Sequence, residues 1–295
     1  MKRILIADRN GQLGNRLFLF AHFIAIGMKT GRRVVNPLFD EFSGFFECAF
    51  RNHYDGLHVS SRIGPQWFNR LIARFLPGTT GLLFRVAPVT PWYRIVRLYE
   101  RTDRQIADLR FYDMETEQEF ADGARHLIVQ GWSFRAFSSV ESCRDRIRPL
   151  FRLRPEWQAK VDSYRASLSP ADITVGIHLR RGDYRTYLGG KYFYPLEVYE
   201  QCMRETVRLF PGKTLRFIVC SNEQAMPVAP AACALHAGPG HFIEDLYTLA
   251  ACDYLIGPPS TFSQWASFYG SVPLCKLESS DQRVESLGDF SVASL

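Results

Sequence analysis

A chain of 295 residues with 46% hydrophobic and 22% charged residues has room for two α/β domains and the proportions of a folded globular protein, which excludes disordered, collagenous and heptad-repeat architectures. Its 36 Lys and Arg against 30 Asp and Glu give a net charge of +6, favouring partners of negative charge: nucleic acid, anionic lipid or a phosphorylated substrate. The 7 cysteines are odd in number, scattered and without a C-x-x-C pair, so neither a disulfide framework nor a zinc site is indicated.

Arginine supplies 30 of the 36 cations. Guanidinium suits bidentate phosphate contact, although a GC-rich genome would enrich it too. No apolar run has the length of a membrane span, and Met1-Lys2-Arg3 leads straight into a short strand-like segment. A cytoplasmic location is expected.

The opening reads as a strand from Ile4 to Ala7, a polar glycine loop (Asp8 to Asn15), and a helix whose apolar positions Leu17, Phe18, Ala21, Ile24, Ala25 and Met28 follow the 3.6 period. Gly31 stops that helix, and Arg33-Val34-Val35 starts a second strand. This is a βαβ opening of Rossmann-like type. The loop spacing is G-x-x-G-N, so a dinucleotide fingerprint is absent. From 37 to 125 the pattern is irregular: Phe42 to Phe50 is aromatic, and Arg62 to Arg110 carries nine arginines against Glu100, Asp103 and Asp108. Within it Trp67, Phe68, Leu71, Ile72, Phe75 and Leu76 fall at near-helical spacing with Arg70 and Arg74 between them. Such a face lies in a membrane interface or, as is more common, packs as core.

A strand is expected at His126 to Gln130 and a helix from Val140 to Phe151. The basic, proline-containing run Arg148 to Pro155 marks the expected junction between residues 1–155, an N-terminal Rossmann-like domain, and residues 156–295. In the second half the elements alternate: strand 173–179, helix 195–210, strand 215–220, helix 242–252, strand 254–256, helix 261–269 and strand 272–275. That alternation predicts a parallel sheet flanked by helices, with ligand at the carboxyl ends of its strands.

Two segments there carry chemistry. His178-Leu179-Arg180-Arg181-Gly182-Asp183-Tyr184 brings an imidazole, two guanidinium groups and a carboxylate to a strand end, with His178 and Arg180 on one face and Leu179 and Arg181 on the other. Arg180 could grip a phosphate while Asp183 orients it or takes a proton; the plainer alternative is a surface Arg–Asp salt bridge. Further on, a strand ends at Gly257 and Ser260-Thr261 opens a helix, whose N-terminus either binds an anion or is simply capped.

These residues resemble a known family. His178 to Tyr184 is similar to the H-x-R-R-G-D-Y signature of the α-1,2-fucosyltransferases of glycosyltransferase family eleven, and more distantly to the H-x-R motif of α-1,6- and protein O-fucosyltransferases. Gly11 to Phe18 resembles the family's opening G-G-L-G-N-Q-x-F. Gly131-Trp132, before a helix ending in Ile147 to Phe151, resembles its central segment. Asp245-Leu246-Tyr247, followed by Ser260-Thr261-Phe262-Ser263-Gln264-Trp265-Ala266, resembles a D-x-x-x-(L/M) helix and S-S-F-S-W-W-A.

The resemblance implies an α/β GT-B fold, two Rossmann-like domains facing across a cleft. The first would lie on the acceptor side and residues 156–295 would hold GDP-fucose. Arg180 would bind the β-phosphate, with His178 and Asp183 as the other catalytic residues. Gly14, Asn15, Arg16, Arg181, Ser221, Asn222, Asp245, Ser260, Thr261, Phe262 and Ser263 would line the donor pocket. Gln12, Arg16, Gln264 and Ser221-Asn222-Glu223 depart from the family's glycine, glutamine, tryptophan and S-D-D, and bear on the acceptor and linkage.

The chemistry of the residues fits an enzyme of this kind. A departing nucleoside diphosphate needs its charge neutralised by a metal or by cations and helix termini. The chain has no D-x-D, so no metal cofactor is expected, and an inverting, metal-independent displacement is. Asp183 is the first choice of base, with Asp8 and Glu244 as others. Expected partners are a nucleotide sugar and an oligosaccharide or lipid-linked glycan, without nucleic acid and with peripheral membrane contact. The competing readings are a transferase of another sugar and a non-catalytic protein that binds RNA or anionic membrane through Arg62 to Arg110.

Overall fold

The structure is a computed structural model and describes residues 2–50, 56–98, 111–121 and 124–295. The part of the arginine-rich section from 99 to 110, with Glu100, Asp103 and Asp108, lies outside the described residues. The chain divides into two compact units, one up to Arg154 and one over Pro155–Ser294.

In the first unit β1 (Arg3–Ile6) leads into α1 (Leu13–Thr30), β2 (Arg33–Val35), the single turn α2 (Asp40–Ser43), β3 (Val59–Ser60), α3 (Gln66–Val86) and β4 (Tyr93–Arg97). After β5 (Tyr112–Asp113) and α4 (Gln118–Ala121) come β6 (His126–Gln130), β7 (Phe134–Arg135), α5 (Phe137–Ser142) and α6 (Arg144–Ile147). Five strands form a parallel sheet in the order β3-β2-β1-β6-β4, and β5 pairs with β7 apart from it. The section that reads as irregular therefore supplies two strands of the main sheet. Its strands escape a periodicity argument because β3 is two residues long and β4, Tyr-Arg-Ile-Val-Arg, breaks its apolar run with arginines.

Helix α1 is buried on nearly every side and ends where Gly31 turns left-handed (φ 64). Against it pack the aromatics of the 39–50 segment: Phe20 meets Phe39 and Phe50 at ring-centroid distances of 5.0 and 5.1 Å, and Phe151 meets Phe46 edge-on at 5.5 Å. Each such pair adds roughly 0.5–1.5 kcal/mol beyond its area. The helix expected at Val140 to Phe151 is broken into α5, α6 and a 3-10 turn, because Cys143 leaves helical geometry (φ −104, ψ 8) and Pro149 follows.

The second unit runs α7 (Pro155–Ala166), β8 (Ile173–Leu179), α8 (Leu196–Arg208), β9 (Leu215–Ser221), β10 (Ala234–Ala237), α9 (Phe242–Leu249), β11 (Tyr254–Gly257), α10 (Thr261–Gly270) and β12 (Leu274–Lys276). Its parallel sheet has the order β10-β9-β8-β11-β12. Central β8 is buried: Val175, Ile177 and Leu179 pack with Tyr199 and Met203 of α8 and Phe217 of β9. Gly176 lets α9 approach on the other face, since a Cβ there would stand 2.7 Å from Leu249 and Leu255. The chain leaves β8 toward β9 and β10, then returns on the far side as β11. Strand order reverses between β8 and β11, and ligands of open α/β sheets bind at the carboxyl ends of such a pair.

Candidate functional site

The loops after β8 and β11 meet at that reversal. Gly257 closes β11 with no room for a side chain: a Cβ would lie 3.0 Å from the His178 Cβ and 3.1 Å from the Ser263 Oγ. Two prolines follow, and Ser260 then caps α10 by accepting from the Ser263 N–H at 3.1 Å. The same hydroxyl lies 3.2 Å from His178 Nδ1, while Ser263 Oγ lies 2.6 Å from it. The Phe262 ring covers the imidazole at a centroid distance of 4.9 Å. Burial, with the Arg180 charge adding to it against Asp183, lowers the His178 pKa to about 3. His178 is thus a neutral, fixed hydrogen-bonding group at neutral pH.

Arg180 emerges one step beyond. Its Nε and Nη2 donate to the two carboxylate oxygens of Asp183 at 2.8 and 2.7 Å, and its guanidinium stands 5.6 Å from the Tyr184 ring centroid. The salt bridge weighed from sequence is therefore formed, and it is bidentate. It takes one edge of the guanidinium and leaves Nη1 without a partner among the described residues.

The other candidates of this unit separate into those near that edge and those turned inward. Ser260 and Ser263 face His178, each hydroxyl within hydrogen-bond distance of its Nδ1 and 3.1 Å from the other. Thr261 and Phe262, in the first turn of α10, are half-buried. Arg181 turns aside, its Nε 3.8 Å from Glu223 and its guanidinium 4.9 Å from the Phe193 ring centroid. Ser221 accepts from the Glu223 N–H at 3.0 Å, and Asn222 lies against Gly182, where a Cβ would come 2.5 Å from its Nδ2. Asp245 is buried in the first turn of α9 with Oδ1 accepting from Gly240 N–H at 2.9 Å, and burial raises its carboxyl pKa.

In the first unit Gly14 is buried inside α1 and the Asn15 side chain lies over Gly11 (φ 63), where a Cβ would come 2.1 Å from its amide nitrogen. Arg16 donates to the carbonyls of Gly11 and Leu38, each at 3.0 Å, and ion-pairs with Glu41. These contacts tie it into its own unit.

At the end of β1, Asp8 accepts from the Arg9 N–H at 2.8 Å, and burial raises its carboxyl pKa. That suits it to take a proton better than an ordinary exposed carboxylate. Glu244, the third candidate base, lies 3.6 Å from Lys160. Within the first unit a cavity of about 500 Å³ is lined by Arg9, Leu38, Asp40, Glu41, Arg62 and Arg70. Sequence reasoning missed this cavity, since its residues are spread over more than sixty positions with no spacing signal. Among the described residues no group of three or more His, Cys, Asp and Glu is gathered to hold a metal.

A doubly wound parallel sheet in each of two units, with a basic strand-end motif beside a capped helix N-terminus, is the GT-B architecture. Among solved structures the chain is similar to Arabidopsis thaliana FUT1 in complex with GDP, with a TM-score of 0.62 at 16% identity, covering 94% of this chain and 70% of that one. It is similar also to the NodZ α-1,6-fucosyltransferase soaked with GDP-fucose (TM-score 0.59, 18% identity, 94% of this chain and 95% of that one). POFUT1 in complex with GDP follows with a TM-score of 0.52 at 14% identity, covering 92% of this chain and 97% of that one. No protein-family model and no curated protein matches the chain.

Proposed function

We propose that the chain is a fucosyltransferase that uses GDP-fucose, by an inverting, metal-independent displacement onto a glycan hydroxyl. The observation that carries this reading is the strand reversal between β8 and β11, where Arg180 stands beside a neutral His178 and the capped start of α10. The likeness in fold to structures solved with GDP and GDP-fucose supports it. The acceptor oxygen bonds to the anomeric carbon from one face while the bond from that carbon to the β-phosphate oxygen breaks on the other. GDP leaves with the electron pair, and the hydroxyl proton passes to a carboxylate. Arg180 and the N-terminus of α10 neutralise the charge that develops on the diphosphate.

Asp183 holds the guanidinium in place by its two hydrogen bonds, which makes it a positioning residue rather than the base. Asp245, Thr261, Phe262 and Asn222 line the donor side. The acceptor is a galactose-terminated oligosaccharide or lipid-linked glycan joined at O-2, the linkage that the H-x-R-R-G-D-Y resemblance carries, and the reaction takes place in the cytoplasm.

The test is GDP release from GDP-fucose with a panel of oligosaccharide acceptors, with and without EDTA. Release with galactose-terminated acceptors, unchanged by EDTA, is expected. Activity abolished by EDTA and restored by manganese removes the metal-independent mechanism. Release from a different nucleotide sugar alone replaces the donor, and binding of RNA without any turnover replaces the reading as a whole.

A further inference from the structure

Helix α3 is built inside out. It fully buries only the polar Asn69 and Thr80, leaves Ile72, Leu76 and Phe84 half-buried and exposes its other large apolar residues, the reverse of a helix packed on a core. Asn69 anchors it by donating to the carbonyls of Pro37 and Ser61 at 3.2 and 3.3 Å, and Gln130 donates to the Pro77 carbonyl at 2.9 Å. On the opposite side Trp67 is 70% exposed, Leu71 50%, Phe75 57%, Leu82 63% and Val86 77%. Their spacing places them along one helical face. Trp92, 65% exposed, continues the patch beyond the helix end. Of the two alternatives that the spacing leaves open, packing as core is not what Trp67, Leu71 and Phe75 do.

The charge around the patch is of one sign. From 56 to 98 the sequence has no Asp or Glu, and Arg62, Arg70, Arg74, Arg85, Arg94 and Arg97 all fall there. Arg62 and Arg94 pair with Asp40 and Glu119. Arg70, Arg74 and Arg85, exposed along one edge of the apolar face, have no ion pair among the described residues. A second copy of the chain would set these arginines against their like. A nucleic acid would find aliphatic Leu71, Leu82 and Val86 where base stacking wants rings. An anionic lipid surface answers both features, since acyl chains take the apolar side chains and headgroups take the guanidinium groups. No helix among the described residues is long and apolar enough to cross a membrane, so α3 would lie in the interface plane.

We infer that α3 and the Trp92 turn dock the protein on an anionic membrane surface. This goes beyond the proposed transfer reaction and stands whether or not that reaction is right. The test is sedimentation with vesicles of phosphatidylcholine alone or mixed with phosphatidylglycerol.

Binding to the anionic vesicles is expected, weakening as salt rises from about 0.1 M to about 1 M and the Debye length shrinks from about 10 Å to about 3 Å. Trp67→Glu and Leu71→Glu should each weaken it at least about tenfold with the melting temperature unchanged, because both side chains are exposed. Arg74→Gln with Arg85→Gln should cost a further tenfold or more, from about 1 kcal/mol per arginine near the surface. Several outcomes overturn the inference: no vesicle binding; binding that the variants leave intact; loss of binding only through unfolding of Trp67→Glu; a dimer dispersed by Leu71→Glu with no vesicle affinity; and RNA binding in place of lipid binding.

Discussion

Arg180 and Asp183 illustrate how a single geometry serves two readings. As an exposed surface pair their bridge is worth at most about 1 kcal/mol of stability. As a preset anion clamp it fixes the guanidinium before ligand arrives, so that little reorganisation is needed when charge develops. On the second reading Arg180→Ala lowers kcat roughly a hundredfold or more, and Arg180→Lys fails to restore it because the fork is gone. Near-normal turnover in either variant, measured as GDP release, returns the pair to a surface salt bridge. His178 offers a separate test through pH. Its pKa of about 3 in the fold lies below the ordinary 6.5, so between those values unfolding takes up a proton. Stability therefore falls as the pH drops from 6.5, by about 1.4 kcal/mol per unit, or roughly 2 kcal/mol by pH 5. Buried His22, whose pKa is also well below the ordinary value, acts in the same direction. Urea unfolding at pH 7 and pH 5 should show a smaller loss in His178→Gln than in the parent; equal losses would mean that the imidazole titrates normally.

Among the elements, α10 does the most for the site because its cap and its histidine clamp share one hydroxyl. Removing it in Ser260→Ala costs about 1 kcal/mol for the cap alone, and also loosens His178. Thr261→Ala keeps the cap, so it should leave the melting temperature nearly unchanged while weakening GDP binding several-fold. Calorimetry that finds the same GDP affinity in Thr261→Ala would move the nucleotide away from this helix start. Helix α3 teaches the opposite lesson about elements. Its apolar spacing is visible from Trp67 to Leu76, yet the helix continues through Pro77 to Val86. A tertiary anchor and a local bond sustain it: Gln130 holds the Pro77 carbonyl, and the Thr79 hydroxyl donates back one turn to the Phe75 carbonyl at 2.9 Å.

At the scale of the molecule, each unit is a parallel sheet around one central strand, β1 in the first and β8 in the second. The second has the Rossmann-like half order, whereas in the first β4 lies outside β6 although it precedes it in the chain. A ligand that binds only the folded state stabilises by mass action, about 2.7 kcal/mol at a hundredfold excess over Kd. Saturating GDP should therefore raise the thermal transition by several degrees, and the shift should shrink in Arg180→Ala. An equal shift from UDP would remove the preference for guanine.

Much of this architecture is legible in the amino-acid order. Buried parallel strands such as β9 contain continuous apolar runs, Phe217 to Cys220 there, Gly31 terminates α1 by local geometry, and H-x-R-R-G-D-Y keeps its chemistry within seven consecutive residues. Those features depend on near neighbours, and near neighbours are what a sequence states. Short or polar strands were not legible: β3 and β10 exist because the sheet beside them supplies hydrogen-bond partners. The same holds for the direction a side chain takes. Ser263, eighty-five positions from His178, lies against the imidazole, and Arg16 bonds within its own unit. The spacing around Trp67 is the same for a core helix and a surface one. Only the tertiary contacts of Asn69 and Thr80 decided which face of α3 is buried, because a helix's apolar stripe fixes a direction but not what lies in that direction.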